Sequence, residues 1–148
     1  MRLGADEARR RLVAHDHGVL CTVHGERGVD AVPVVYVVDD EGYVGVPVDV
    51  VKPKASSRLQ RARNLEADPR ATLLIEHWDR HDWSQLWWVR AELRWQADDP
   101  AGQAAGAEAG RAAALAARLA DAFAQYEDQP FTTVLVLRVV AVTGWAAS

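Results

Sequence analysis

Three consecutive runs rich in β-branched residues constrain the fold of this chain more than any other feature. They cover 18–24, 29–38 and 43–51, and four-residue segments rich in Gly and Asp separate them. This spacing predicts a meander of antiparallel strands. Pro33 lies within the second run. Because proline cannot donate a hydrogen bond to a neighbouring strand, it indicates an edge position or a bulge.

The remaining segments add three helices and three further strands. Helices are predicted at 5–15, at 56–68 and from Asp98 to about Gln125, and strands at 70–78, 83–95 and 132–142. The order lacks the strand–helix alternation of a doubly wound fold, and no GxGxxG or GxxxxGK[ST] motif occurs. We therefore expect a mainly β fold, a small antiparallel barrel of six strands decorated with helices, as a single domain over 1–148.

Composition excludes several classes of protein. With 49% hydrophobic and 26% charged residues, the chain is not generally disordered, and its single cysteine excludes an internal disulfide framework. No apolar run approaches the ~18 residues of a membrane span, and the charged N-terminus lacks the apolar core of a signal peptide. These features predict a cytoplasmic protein. The net charge of −4 argues against nucleic acid or an anionic membrane as partner.

Basic residues concentrate around the predicted second helix. The chain has only two lysines, and six of its 17 basic residues fall within 19 positions: Lys52, Lys54, Arg58, Arg61, Arg63 and Arg70. A helix N-terminus with cations beside it suits a phosphate or carboxylate. The alternative is a solvated helix face. On an acidic chain, a basic cluster favours a small anionic ligand over a nucleic-acid track.

Tryptophans concentrate around the predicted fifth strand. Five of the six lie between 78 and 95: Trp78, Trp83, Trp87, Trp88 and Trp95. In an extended strand Trp83, Trp87 and Trp95 would share one face, and Trp88 would take the other. A small barrel cannot enclose so many indoles, so we expect a subunit interface that a planar ligand could share. The alternative is the core of a monomer.

Metal binding and nucleophilic catalysis find little support. His and acidic residues at 76–82 follow a strand into a turn, where the His-x₃-His spacing of a helical zinc site loses its meaning. Cys21 lies mid-strand, where a small core residue is expected, and no G-x-S-x-G motif occurs. Tyr36 and Tyr43 could donate protons, but nothing in the sequence selects either. If the chain is an enzyme, we expect a bound cofactor to carry the chemistry.

Six ordered pieces of the chain resemble one known family. They are AVPVVYV (31–37), VKPK (51–54), RLQRARN (58–64), ADPRATLLIEHW (67–78), DWSQLWWVR (82–90) and GWAAS (144–148). In this order they resemble the pyridoxamine 5′-phosphate oxidase-like split-barrel proteins, and among these the actinobacterial branch described as F420-dependent oxidoreductases. The resemblance covers about 30–148, and DWSQLWWVR is its most specific part.

The resemblance implies a six-stranded split β-barrel homodimer with a flavin-like cofactor in the groove between subunits. The residues that it assigns to the cofactor ring are Val32, Pro33 and Val34 on the second strand. Those that it assigns to the cofactor phosphate are Lys52, Lys54, Ser57 and Arg58. It also implies that the long fifth strand, with Trp87 and Trp88, reaches across the dimer. Oxidase relatives have a polar residue where Trp88 stands, and this departure fits a deazaflavin better than FMN.

The function implied is an oxidoreductase that transfers hydride between F420 and a small unsaturated or carbonyl-conjugated substrate. F420 carries a phosphate and an acidic glutamate tail, which would give Lys52, Lys54, Arg58 and Arg61 a partner. FMN is the alternative cofactor. Two other functions stay open: an F420 carrier without rapid turnover, and an FMN-dependent oxidase of a B6 vitamer.

Overall fold

The computed structural model describes residues 1–49, 60–96, 105–128 and 131–148. The helices are α1 (Ala5–Ala14), α2 (Gln60–Ala67), α3 (Ala105–Ala122) and α4 (Gln125–Asp128), and a 3₁₀ turn covers Trp83–Gln85. The strands are β1 (His17–His24), β2 (Gly28–Val35), β3 (Val37–Val38), β4 (Tyr43–Asp49), β5 (Arg70–His77), β6 (Trp87–Trp95) and β7 (Phe131–Ala146). None of the helices described is long and apolar enough to cross a bilayer.

The described strands form one antiparallel sheet in the order β2-β1-β5-β6-β7-β4-β3. β2 ends at Val35 and β3 begins at Val37, yet these two strands occupy opposite ends of that order. Only Tyr36 separates them along the chain, so the two edges of the sheet must approach each other. The sheet is therefore curled into a split barrel, as predicted.

The prediction of six strands is wrong, because the predicted strand over 29–38 divides at Tyr36. The Tyr36 N–H donates to the Asp16 carbonyl oxygen at 3.0 Å, and its hydroxyl donates to the Leu12 carbonyl oxygen at 2.6 Å. These bonds hold Tyr36 against α1, and the chain then leaves β1 and pairs with β4 as β3. Seven strands result.

Two strand boundaries also differ from those predicted. The predicted strand over 83–95 begins only at Trp87, because the Asp82 carboxylate accepts the Ser84 N–H at 3.1 Å and starts a 3₁₀ turn. The last strand extends to Ala146, beyond the predicted end at residue 142, since it pairs with β6 as far as Trp87↔Ala146. The proposed starts of the second and third helices lie outside the described residues.

The core fills the inside of the curled sheet. Alternate residues of β1, β5, β6 and β7 point inward, and the most deeply buried are Leu20, Leu73, Ile75, Leu93 and Leu137. Helix α1 covers one end of this core with Ala8 and Leu12. Helix α3 packs on β4, where an added Cβ on Gly45 would lie 2.9 Å from the Leu115 Cβ. Glycine is thus required at 45 for close approach of the helix.

Candidate functional site

A cavity of about 340 Å³, here the first cavity, opens along the edge strand β2. It is lined by His17, Gly18, Pro33, Val34, Val35, Pro47, Arg61, Phe123, Gln125 and Tyr126. Three of the predicted site residues, Pro33, Val34 and Arg61, therefore share one cavity. Its walls combine aliphatic and aromatic side chains with one guanidinium group, one imidazole and one carboxamide.

The edge of β2 also offers backbone groups to this cavity. Between two antiparallel strands, residue pairs joined by backbone hydrogen bonds alternate with pairs that are not joined. The Tyr36 N–H donates to the Asp16 carbonyl, so Tyr36 and Asp16 form a joined pair, and this assigns every other pair of β1 and β2. Pro33, opposite Val19, therefore occupies a non-bonded position, which suits a residue without an N–H. The Pro33 carbonyl and the Val35 N–H and carbonyl consequently face away from β1. β2 is the sheet edge that Pro33 predicted.

A second cavity, of about 370 Å³, adjoins the first along β2. It is lined by Thr22, Arg27, Asp30, Ala31, Val32, Gln60 and Arg61. Val32 thus lines this cavity rather than the first. Arg61 lines both, so it forms the wall that they share. The described site thus has one guanidinium group beside Pro33 and two, together with the Asp30 carboxylate, beside Val32.

The floor of the second cavity is a hydrogen-bonded polar network around Asn64, which is 3% exposed. Its Nδ2 donates to Thr22 Oγ1 at 3.0 Å and to Asp30 Oδ2 at 2.9 Å, and its Oδ1 accepts from Gln60 Nε2 at 2.9 Å. Arg27 Nη2 lies 3.0 Å from both Asp30 carboxylate oxygens. The hydrogen bond from Asn64 is the largest cause of a lowered pKa for Asp30, and Arg27 lowers this pKa further. These bonds hold the polar side chains in place before any ligand binds.

The basic cluster predicted from the sequence is only partly present in the described structure. Lys52, Lys54, Ser57 and Arg58 lie outside the described residues. Arg61 enters the site, whereas Arg63 is exposed on the same helix and Arg70 pairs with Asp68 at 2.6 Å. Sequence reasoning missed Arg27, which a turn between β1 and β2 brings opposite α2. The sequence shows that Arg27 is basic, but only tertiary packing brings it into the same cavity as Arg61.

The two adjacent tryptophans of β6 point in opposite directions. Trp87 packs against the core, with the Arg11 guanidinium 5.1 Å from its ring centroid. Trp88 lies on the outer face of the sheet, where the Arg90 guanidinium is 5.6 Å from its ring centroid. Trp95 shares the inward face with Trp87, as predicted. Trp83 does not, because it is part of the 3₁₀ turn and is 65% exposed.

An apolar row crosses the outer face of the sheet. Pro33 lies opposite Val19 and Val19 opposite Leu74, on the neighbouring strands β2, β1 and β5. Val19 and Leu74 are each 37% exposed. Cys21, expected in the core, also lies on this face and is half-buried, and burial raises the pKa of its thiol. Pro33 makes this row, here the outer row, continuous with the first cavity.

Neither tyrosine considered from the sequence lines the two cavities. The hydroxyl of Tyr36 is buried on the Leu12 carbonyl, and burial raises its pKa. Tyr43 lies under Arg111, whose guanidinium is 3.7 Å from its ring centroid. Among the described residues, no group of three or more His, Cys, Asp or Glu side chains is placed to hold a metal ion.

Comparison with known proteins identifies the fold. Neither a protein-family model nor a curated protein matches the sequence. Similar solved structures include a conserved hypothetical protein from Mycobacterium tuberculosis, with a TM-score of 0.68, 18% identity, and coverage of 98% of this chain and 86% of that one. A FAD-binding protein from Mesorhizobium loti matches with a TM-score of 0.56 and 16% identity, over 97% and 93% of the two chains.

A third similar structure is a putative pyridoxamine 5′-phosphate oxidase from Corynebacterium glutamicum. It matches with a TM-score of 0.55 and 13% identity, over 97% of this chain and 90% of that one. At such identities the likeness concerns the fold, which extends over nearly the whole chain. The chain therefore shares its fold, a curled antiparallel sheet with helices, with these three proteins.

Proposed function

We propose that this protein is an oxidoreductase that uses the deazaflavin F420, with FMN as the alternative cofactor. The observation that carries the proposal is the pair of adjoining cavities along β2. The first has Pro33, the free edge of β2 and Arg61, and the second has Arg27 and Arg61 beside the Asp30 carboxylate. A cofactor with a flat ring and an anionic tail could place the ring beside Pro33 and the tail beside the two guanidinium groups.

The described residues fit such a cofactor by the chemistry of their groups. Pro33 can supply an apolar contact for a ring, whereas the Val34 side chain is buried in the core and only backs this wall. The outward Val35 N–H and carbonyl can hydrogen bond to polar atoms at the ring edge. Arg61 and Arg27 can bind phosphate or carboxylate oxygens. From the resemblance, we further assign the phosphate to Lys52, Lys54, Ser57 and Arg58.

The part of the protein in the reaction is to position and shield the reactants. When bound, the reduced cofactor supplies a hydride, which a carbonyl-conjugated substrate accepts. The apolar walls around Pro33 and Val34 exclude water from the ring, and the guanidinium groups hold the anionic tail so that the ring cannot slide along β2. Both effects require the two cavities to be filled at the same time.

We also propose a homodimer in which a second copy covers the outer row. That row is apolar, and Pro33 joins it to the first cavity, so a partner seated there would close the rim of the site. Trp88 faces the same side of the sheet and is suited to reach across the subunits. Trp87, also assigned there by the resemblance, packs inward, and we propose Trp88 as the principal contact.

Two binding titrations test the cofactor assignment. Purified protein is titrated with F420, followed by cofactor fluorescence, and separately with FMN. We expect F420 to bind more tightly than FMN. A protein that binds neither would contradict the proposal, and one that binds only FMN would favour the alternative cofactor. Yellow protein that releases peroxide with pyridoxamine phosphate would support the B6-vitamer oxidase.

A second experiment separates an enzyme from a carrier. Protein loaded with reduced F420 is mixed with a panel of enones and quinones, and the return of the oxidised cofactor is followed by absorbance. Oxidation coupled to substrate reduction supports the oxidoreductase. Tight binding without turnover over the whole panel would support the carrier.

A further inference from the structure

A histidine with a carboxylate beside it stands at the mouth of the first cavity. His17 lines this cavity together with Pro33 and Val34, and its Nδ1 lies 2.7 Å from Asp16 Oδ1. That hydrogen bond is the main reason why the pKa of Asp16 is lowered. An ionised carboxylate can only accept hydrogen bonds, so the Nδ1 atom carries a proton. The other ring nitrogen, Nε2, is then the one available to a ligand.

The backbone around His17 is held firmly. The Asp16 carbonyl oxygen accepts the Tyr36 N–H at 3.0 Å, at the point where β2 passes into β3. Gly18 is in such close contact with β5 that an added Cβ would lie 2.5 Å from the Leu74 carbonyl oxygen. The imidazole is exposed, but it projects from a backbone that packing on both sides fixes. Its position beside the cavity is thus set by the fold.

A second histidine lies beside His17. The His15 ring centroid is 4.9 Å away, and the His15 ring contacts Trp87 edge-on at 5.5 Å. Burial, followed by His17 itself, lowers the pKa of His15. The His15 ring lies between His17 and the Trp87 indole.

The three tyrosines are the other candidate proton donors. Tyr36 is buried on the Leu12 carbonyl, and Tyr43 lies under Arg111. Tyr126 lines the first cavity and is the rival proton donor. The Asp16 carboxylate, 2.7 Å from Nδ1, orients the His17 ring, and this geometry favours His17 as the donor.

We infer that His17, oriented by Asp16, donates the proton that accompanies hydride transfer to a conjugated carbonyl substrate. The inference rests on the proposed function. Hydride from the reduced cofactor forms a C–H bond at the β-carbon, and the C=C π electrons move to give an enolate. In the donor form of His17 both ring nitrogens carry protons, and the Nε2 proton passes to the α-carbon, which restores the carbonyl and leaves a neutral ring with its proton on Nδ1. His17 regains a proton from water, and the oxidised cofactor releases its own N–H proton to solvent.

Single-turnover kinetics with chemical rescue test this role. Reduced F420 on the protein is mixed with cyclohex-2-enone, and formation of cyclohexanone is measured. We expect His17→Ala to slow this step about 100-fold or more, and added imidazole to restore part of the rate. Asp16→Asn should cause a smaller loss that imidazole does not restore. His81→Ala is the matched control, since His81 lies on the turn after β5, away from both cavities, and the rate should not change.

A spectroscopic measurement tests the same contact without turnover. In protein labelled with ¹⁵N-histidine, the Nδ1 atom of His17 should carry a proton, and the Nε2 signal should shift when cyclohex-2-enone is added to the complex with oxidised F420. The Nε2 signal of His81 should stay in place. An unmoved His17 signal in a complex that binds both molecules would overturn the inference.

The outcomes separate this inference from the proposed function. If F420 binds and turns over at the wild-type rate in His17→Ala, or if Tyr126→Phe alone removes the step, the inference fails and the proposed function stands. If F420 does not bind to the wild-type protein, both fail.

Discussion

Arg61 Nη2 donates a hydrogen bond to the Pro47 carbonyl oxygen at 3.3 Å. This contact carries a guanidinium group from helix α2 across to strand β4, between the two cavities along β2. Because Arg61 lines both cavities, its guanidinium group can contact a ligand bound in either one. The contact therefore links the apolar and the cationic halves of the proposed cofactor site, and it gives the first prediction.

Replacing Arg61 should weaken cofactor binding more than replacing its neighbour does. In Arg61→Gln we expect the affinity for F420 to fall by about 1.5–3 kcal/mol, roughly 10- to 150-fold in Kd, because a charged hydrogen bond to an anion is lost. Arg63→Gln is the matched control, since Arg63 is exposed on the same helix and lines neither cavity. Fluorescence titration measures both. Equal losses in the two variants would contradict a specific role for Arg61.

The polar network under the second cavity should be important for stability. In Asn64→Leu, Thr22 and Asp30 lose the amide that bridges them, and Gln60 loses its acceptor. We expect the free energy of unfolding to fall by about 1–3 kcal/mol, since buried polar groups are left without partners. Urea denaturation measures the change. An Asn64→Leu protein as stable as the wild type would show that the network only lines the cavity.

Close packing of α3 on β4 gives a pair of opposite predictions. In Gly45→Ala the new methyl group would lie 2.9 Å from the Leu115 Cβ, so the helix or strand must shift and stability should fall by about 1–3 kcal/mol. In Gly110→Ala nothing lies within 4 Å of the new methyl group, and the helix should become more stable by roughly 0.5–1 kcal/mol. Thermal unfolding of both variants tests the signs. Stabilisation by Gly45→Ala would contradict the observed packing.

The Asp68–Arg70 pair predicts a loss of stability in acid. The hydrogen bonds from Arg70 lower the pKa of Asp68 to about 2, below its usual 3.8. A lowered pKa means that the folded protein favours the carboxylate, so the stabilisation is complete above about pH 4 and disappears as the pH falls through 2. Urea unfolding at pH 5 and at pH 2.5 should show a smaller acid loss in Asp68→Asn. Arg70→Gln should behave in the same way. If both variants lost as much stability between pH 5 and pH 2.5 as the wild type does, the pair would be excluded as the cause of the acid loss.

The outer row should determine the oligomeric state. We expect the wild type to be a dimer of ~33 kDa, twice the 16.3 kDa of one chain. Leu74→Glu places a charge in the middle of the row and should give a monomer by light scattering. Val13→Glu is the control, since Val13 is exposed on α1, away from this row. A Leu74→Glu protein that remains a dimer would place the interface elsewhere.

Much of the site depends on pairings that short stretches of sequence do not encode. Sequence reasoning predicted Pro33, Val34 and Arg61, and the structure brings them to one cavity. It did not select Arg27, nor His17, which we propose as a proton donor, because both are ordinary surface residues in their local context. Their significance arises only when the β1–β2 turn faces α2 and the start of β1 borders the first cavity. In both cases, residues that are far apart along the chain come together in space.

Local chemistry determined the strands, the turns between them and the position of Pro33 at an edge, because side-chain alternation and missing N–H groups act within a few residues. Tertiary structure decided the rest. It split the predicted second strand at Tyr36, placed β2 and β3 at opposite edges of one curled sheet, and directed Trp87 inward and Trp88 outward. The physical reason is that the sheet curls until its two edges approach each other. The register of each strand then depends on the pairing of all the others, so no single segment of sequence determines it.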